Sequence, residues 1–172
     1  MKDSVRKGIL DQLISLDELV VKKALDKIRK SGNHQFVGPL MQRLITGENI
    51  LVHAMILQLF QDLKDKPSMD LLIDEMADSK FDDLRSKLLE CAWQSGIDLR
   101  HRLDDIINMN LKGDYMVCLE TLTVVENFDP GIDNKTLERN IEKMKTHMLK
   151  DADTSDELRL SMIEVLENFK VV

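Results

Sequence analysis

Apolar residues recur along almost the whole chain at helical spacing, and no stretch sustains the alternation of period two that a half-buried strand requires. Val37, Leu40, Leu44 and Ile45 fall on one side of a helix, as do Met69, Leu72, Ile73 and Met76, then Leu103, Ile106 and Ile107, then Leu137, Ile141, Met144 and Met148. Between these runs lie breaks at Gly32, Gly47, Lys66-Pro67, Ser79-Lys80, Gly96, Lys112-Gly113 and Asp129-Pro130-Gly131. Gly beyond a helix end accepts a left-handed backbone cheaply, and Pro cannot continue a helix. Asp17, Asp98, Asp114, Asp133 and Ser155 stand where a side-chain oxygen would accept from the free amides of a first turn. The pattern predicts about nine or ten helices of roughly 12 to 17 residues joined by short loops.

The helices group into pairs, and the pairs recur. With the first apolar position of each second helix as marker, the series is Val21, Val52, Leu84, Tyr115 and Leu158, in steps of 31, 32, 31 and 43. Apolar or small residues return three, four and seven positions later. They are Ala24, Leu25 and Ile28, then Met55, Ile56 and Leu59, then Leu88 and Cys91 (Lys87 breaks the pattern), then Cys118, Leu119 and Leu122, then Ser161, Met162 and Val165. The last step is long because the helix from about residue 135 to 150 is extended and followed by residues 151–154. A hairpin of helices cannot bury both its faces alone and lies against the next, so this period predicts an all-α α-solenoid of stacked antiparallel helix pairs. Approximate units are 1–32, 33–65, 66–98, 99–132 and 133–172, in a single domain. Ala24, Cys91 and Cys118 are small enough to let neighbouring helices approach closely.

The unit at 33–65 opens on Phe36-Val37-Gly38-Pro39-Leu40-Met41-Gln42-Arg43-Leu44, and the next pair carries Asp83-Leu84-Arg85, an arrangement repeated by Leu158-Arg159. These segments resemble HEAT repeats of the armadillo-like superhelix group, whose first helix carries an apolar residue and Pro ahead of a Leu-x-x-x-Leu run. In that family the second helix opens on an acid, an apolar residue and Arg. His53 and Met116 stand where the Arg would be in two other units, and one unit alone has the Pro. The resemblance spans about residues 17–172. It implies a HEAT-like superhelix and a scaffold or adaptor role. Tetratricopeptide repeats fit less well, because their Trp, Gly, Tyr and Pro positions are not filled at a 34-residue period.

Composition sharpens this. The chain has 172 residues, 43% apolar and 32% charged, with 4% aromatic, enough apolar surface for a core without metal or disulfide staples. The net charge of −7 is unevenly placed: residues 1–35 hold eight Lys and Arg against five Asp and Glu, and the remainder is acidic. Lys22, Lys23, Lys27, Arg29 and Lys30 form most of the basic end, read either as a solvated helix face or as a patch that steers an acidic partner or contacts nucleic acid. Cys91 and Cys118 lie 27 apart with no Cys-x-x-Cys spacing, which points to a reducing compartment. The start lacks the apolar core of a signal peptide, and the longest uncharged stretch, residues 49–61, is too short to span a bilayer. A cytoplasmic location is the expectation.

The search for chemistry returns little. The four histidines are at least 19 residues apart, so no two share a helix face as His-x-x-x-His ligands do. Asp82-Asp83 and Asp104-Asp105 point about 100° apart on a helix and do not face each other. Nucleophile-elbow, Walker and dinucleotide motifs are missing, and neither a metal nor a cofactor is expected. Glu90-Cys91-Ala92-Trp93-Gln94-Ser95-Gly96 stands out, since Trp93 is the chain's single Trp. Nine positions after its marker, Trp93 corresponds to Gln61, Val124 and Glu167, a mixture that argues against deep burial. Leu57 and Leu89, five after theirs, share its stripe. One reading is a groove on the inner helices in which Trp93, Leu89 and Leu57 grip a protein or peptide of basic and apolar character between acidic rims at Glu90 and Glu120. The competing reading packs Trp93 on the first helix of its own pair. Met41, Met55, Met69, Met76, Met144 and Met162 suit either a deformable groove or an irregular core. An enzyme on the same scaffold, of the alkylation-repair glycosylase or phycobilin lyase kind, is the alternative. The glycosylase needs a basic groove, and the acidic remainder of the chain disfavours nucleic acid. A third reading is a monomer or weak homo-oligomer that associates through terminal helices, where Phe169-Lys170-Val171-Val172 leaves apolar side chains at one end.

Overall fold

The computed structural model describes residues 3–31, 34–150 and 153–170. The fold is all-α, with no strand among the described residues. Ten α-helices follow in order: α1 (Asp3–Leu13), α2 (Glu18–Ser31), α3 (Val37–Thr46), α4 (Ile50–Gln61), α5 (Lys66–Met76), α6 (Arg85–Gln94), α7 (Leu103–Lys112), α8 (Tyr115–Glu126), α9 (Asn134–Met148) and α10 (Asp156–Asn168). Short 3₁₀ turns at His34–Phe36, Ser79–Leu84 and Arg100–Arg102 lead into α3, α6 and α7. The expected breaks at Gly32 and at residues 151–152 lie outside the described residues, as do Val171 and Val172.

The ends form largely where side-chain oxygens were expected. Asp17, Asp98, Asp114 and Asp133 each accept from a backbone N–H two or three residues on, at 2.9–3.0 Å. Ser155 makes no such bond; its own N–H instead donates to Asp153 Oδ1 at 2.6 Å. Asn49 and Asp65 cap α4 and α5, two caps the spacing did not mark. Gly96 closes α6 with φ +71°, the left-handed backbone that L side chains rarely adopt, so Gly96→Ala is expected to cost about 1 kcal/mol in a urea titration. Gly113 is required for a different reason: its φ is ordinary, but a Cβ there would collide with Val117 and lie 2.9 Å from the Met109 carbonyl.

Consecutive helices pack as pairs, α1 with α2 through α9 with α10. Each even helix also packs on the next even helix, giving a row α2–α4–α6–α8–α10, while α1, α3 and α5 pack in sequence and α7 packs on α9. Polar bridges repeat this neighbour relation at separations of about thirty residues. Arg43 Nε donates to Leu13 O (3.1 Å), Lys64 Nζ to Ser95 O (3.0 Å) and Arg100 Nη1 to Pro130 O (2.7 Å). His101 Nε2 meets Asp70 Oδ1 at 2.6 Å, and Arg102 ties Asp74 to Asp105, joining the start of α7 to α5. One contiguous apolar cluster runs from Ile9 to Leu166 between the rows.

Burial departs from the register that the marker series predicts. The inward positions are Val21, Ala24, Leu25 and Ile28 in α2 and Val52, Ile56 and Leu59 in α4. They continue as Arg85, Leu88, Leu89 and Ala92 in α6, Cys118, Thr121, Leu122 and Val125 in α8, and Arg159, Met162, Ile163 and Leu166 in α10. The anchors are therefore Val21, Val52, Arg85, Cys118 and Arg159; Leu84 and Leu158 stand one place early, and Tyr115 three. Apolar counting passed over Arg85 and Arg159, inward slots whose guanidiniums find acceptors through Nε or Nη atoms, although the buried Arg159 Nε has none. Arg85 Nε donates to Met76 O at 2.9 Å, at the end of α5, and Arg159 reaches Asp153, Asp156 and Asn110 O. Ile45, expected on the inward side of α3, is exposed.

Several carboxylates are held ionised by their partners. Asp98 falls from an ordinary 3.8 to about 2, chiefly through hydrogen bonds from the Arg100 guanidinium and then from its backbone N–H. Asp104 is lowered by Arg139 and Asp153 by Arg159. A carboxyl group depressed on folding contributes stability above its unfolded value that is lost as pH falls through the folded value. Urea midpoints are therefore expected to be level above about pH 4 and to fall steadily toward about pH 2. Asp98→Asn should flatten part of that fall; an unchanged acid limb would show that the Arg100 contact is not maintained in solution.

Candidate partner-docking surface

In the corrected register each even helix has a forward side, one, five and eight positions after its anchor, and a backward side, one before and two and six after. The two sides meet between neighbours. Leu57 on the forward side of α4 meets Cys91 on the backward side of α6, whose Sγ donates to Leu57 O at 3.5 Å. Trp93 on the forward side of α6 meets Glu120 on the backward side of α8, Nε1 donating to Oε2 at 2.9 Å.

The proposed groove residues therefore separate. Trp93 and Glu120 are brought together, but as partners of each other: Trp93 is half-buried against the core and its polar edge is already taken. It reaches across to α8, a neighbour that neither the groove nor packing on the first helix of its own pair predicts. Leu89 is 0% exposed and lines no surface. It corresponds to Leu25 and Ile56, core positions, and the one-place slip at Leu84 had moved it outward. Leu57 is half-buried in the α4–α6 seam, and Glu90 accepts from Gln94 at 3.0 Å at the surface of α6. These five residues do not form one open groove.

A different surface does open, between α2 and α4. A trough of about 470 Å³ is lined by Leu19, Lys22, Asp26 and Arg29 of α2 and by Leu51, Ala54, Met55 and Gln58 of α4. Leu19 is 68% and Leu51 61% exposed, and Ile50 beside them is more exposed still. The stretch that makes this possible is the uncharged run 49–61: a helix with no charged residue on any side presents an apolar outer face. The same run that is too short to span a bilayer carries the signal for the trough. Among the described residues no helix is long and apolar enough to cross a membrane.

The basic residues split between two sides of α2. Lys22 and Arg29 face α4, where Arg29 pairs with Asp62 at 2.9 Å. Lys23, Lys27 and Lys30 turn away from α4, and Lys27 Nζ donates to Gln12 of α1 at 3.0 Å. Glu18, at the trough's edge, accepts from Asn49 at 2.7 Å. No ion pair engages Lys22 or Asp26 among the described residues, so one cation and one anion a helical turn apart remain free along the trough.

Reactive chemistry finds no support in the cysteines. Burial, with the Glu90 charge adding to it, pushes the Cys91 thiol up to about 12, and burial likewise raises Cys118. Both are thiols at neutral pH, and the thiolate is the nucleophile. Cys118 Sγ donates to Asn110 O at 3.2 Å, where its small size lets α7 and α8 approach. Among the described residues no group of three or more His, Cys, Asp or Glu is placed to hold a metal ion. No protein-family model matches the chain, and no curated protein and no solved structure matches it either.

Proposed function

We propose that the chain is a non-enzymatic protein- or peptide-binding scaffold, and that its docking surface is the α2–α4 trough. The observation that supports this is the uncharged outer face of α4, where Leu51 and Ala54 stand open beside Leu19. Exposed apolar side chains gathered in one concave strip and rimmed by charge are the usual mark of an interaction site. The shape fits the apolar side of an amphipathic helix, read at spacings of three and four residues. Lys22 and Asp26 favour an occupant with an acid and a base one turn apart, and the apolar floor supplies most of its anchoring. This refines the expected basic and apolar partner to one carrying both signs. The resemblance to HEAT repeats, which implies neighbouring pairs stacked as a superhelix, points to the same adaptor role.

The test is selection of helical peptides from a displayed library against the 172-residue chain, followed by NMR mapping of the bound surface. Shifts concentrated in α2 and α4 are expected. Leu51→Asp and Ala54→Asp should each weaken binding at least tenfold, about 1.4 kcal/mol, without changing thermal stability, because both side chains are solvent-exposed. Selected peptides that bind with unchanged affinity to both variants, or that map to Trp93 and Glu120, would overturn the assignment.

A further inference from the structure

The forward and backward sides that join the even helices inside the molecule also exist on α10 and α2, where no further even helix of the described residues meets them; α1 borders the α2 side, with Lys27 bonded to Gln12. On α10 the forward positions are Leu160, Glu164 and Glu167; on α2 the backward positions are Val20, Lys23 and Lys27, with Lys30 continuing the stripe. Interior backward sides look different. They carry Leu51, Ala54 and Gln58, then Leu84, Lys87 and Cys91, then Val117, Glu120 and Val124, then Leu158, Ser161 and Val165. None holds more than one charge.

The ends of a stacked array must be polar to stay soluble, but polarity does not require a single sign. Here the charged positions named on each side share one sign, lysine on α2 and glutamate on α10, and among the described residues Lys145 of α9 meets only Glu167. We propose that these faces are the two halves of one interface, and that a second copy of this chain docks head to tail, the α10 of one copy against the α2 of the next. Continuing the interior register across the junction sets Leu160 near Val20 as an apolar centre. It sets Glu164 and Glu167 against Lys23 and Lys27, with Lys30 at the margin. Lys145 of α9 already reaches Glu167 at 3.0 Å, whereas Glu164, Lys23 and Lys30 have no ionic partner among the described residues. The contact joins two different surfaces, so it repeats without limit unless the copies close into a ring. Exposed charges carry much of it, so it is screened by salt.

Sedimentation velocity on the 172-residue chain tests this. At about 20 mM salt the weight-average mass is expected to climb with concentration past twice the 19.8 kDa monomer, and at about 500 mM to return to the monomer. Lys23→Glu with Lys30→Glu spoils the head, and Glu164→Gln with Glu167→Gln spoils the tail, so that the two spoiled faces carry no opposite charges. Each double variant alone is expected to be monomeric at low salt with an unaltered helical circular dichroism spectrum. Mixed in equal amounts they should form a heterodimer and stop there, because each retains one intact face. Should either pair alter the fold, Lys23→Gln with Lys30→Gln supplies a neutral head variant for the same comparison. A wild-type chain that stays monomeric at low salt, a dimer that survives in both double variants, or a mixture that grows beyond two copies would each overturn the proposal.

Discussion

Arg159→Ala is expected to lower the free energy of unfolding by about 3 kcal/mol, within the range seen when one partner of a buried ionic network is removed. The side chain is 1% exposed, yet it carries a full charge. Nη1 lies 2.7 Å from Asp153 and 3.1 Å from Asp156, which fixes the start of α10, and Nη2 reaches Asn110 O at 3.4 Å in α7. Deleting it removes these bonds, opens a void beside Asn110 and Cys118, and leaves two carboxylates without their cation. Asp153 and Asp156 remain partly exposed and recover some hydration, which keeps the loss from running higher. Arg159→Met retains the stem and most of the volume, so it should restore part of the loss. Arg159→Ala should also remove the contribution of Asp153 to the acid limb of the stability profile, since that carboxyl is depressed chiefly by Arg159. Urea titrations of the three proteins at neutral and acid pH measure both effects. A change below about 0.5 kcal/mol would mean that the guanidinium is solvated rather than enclosed.

Leu89→Ala is expected to destabilise by about 3 kcal/mol, and Leu57→Ala by about 1 kcal/mol, through lost burial and the cavity left behind. The pair discriminates between registers. If Leu89 belonged to an open stripe with Leu57, the two substitutions would cost similar small amounts; with Leu89 in the core beside Leu88 and Ala92, they differ several-fold. Thermal or urea unfolding reads the difference directly, and equal midpoints for the two variants would reinstate the groove.

The slip that misplaced Leu89 shows how the chain encodes its core. The inward slots of α6 and α10 open on Arg85 and Arg159, and a reading that counts apolar residues steps back from them to Leu84 and Leu158, while the inward Thr121 of α8 goes uncounted. Those side chains are inward because backbone carbonyls and nearby acids meet their polar atoms. Thr121 Oγ1, for example, donates to its own helix and accepts from Asn110 Nδ2 at 2.8 Å. Several of these partners sit on an odd helix earlier in the chain, as Met76 O does for Arg85 and Asn110 for Thr121 and Arg159, and a count of apolar positions does not register them. Trp93 is a similar case: its mixed counterparts correctly argued against deep burial, but the Glu120 carboxylate that takes its N–H lies 27 residues away.

Local signals reached further. The 3.6-residue period placed the helices, because a stripe of apolar side chains has one way to leave water in each segment. Asp114 and Asp133 marked their helix starts, since a cap bonds within three residues. Gly96 marked an end through a backbone conformation that needs no partner. The uncharged run 49–61 was visible as well, and the chain alone guarantees that α4 has no charged face. What the tertiary structure decided is which side of each helix turns inward, and so which exposed residues share a surface. Lys22 and Lys23 are adjacent in the chain and 100° apart on α2; one borders the trough and the other lies on the side of α2 turned away from α4. Periodicity specifies a helix and its amphipathic direction to within a residue, and one residue is a rotation large enough to exchange core for surface.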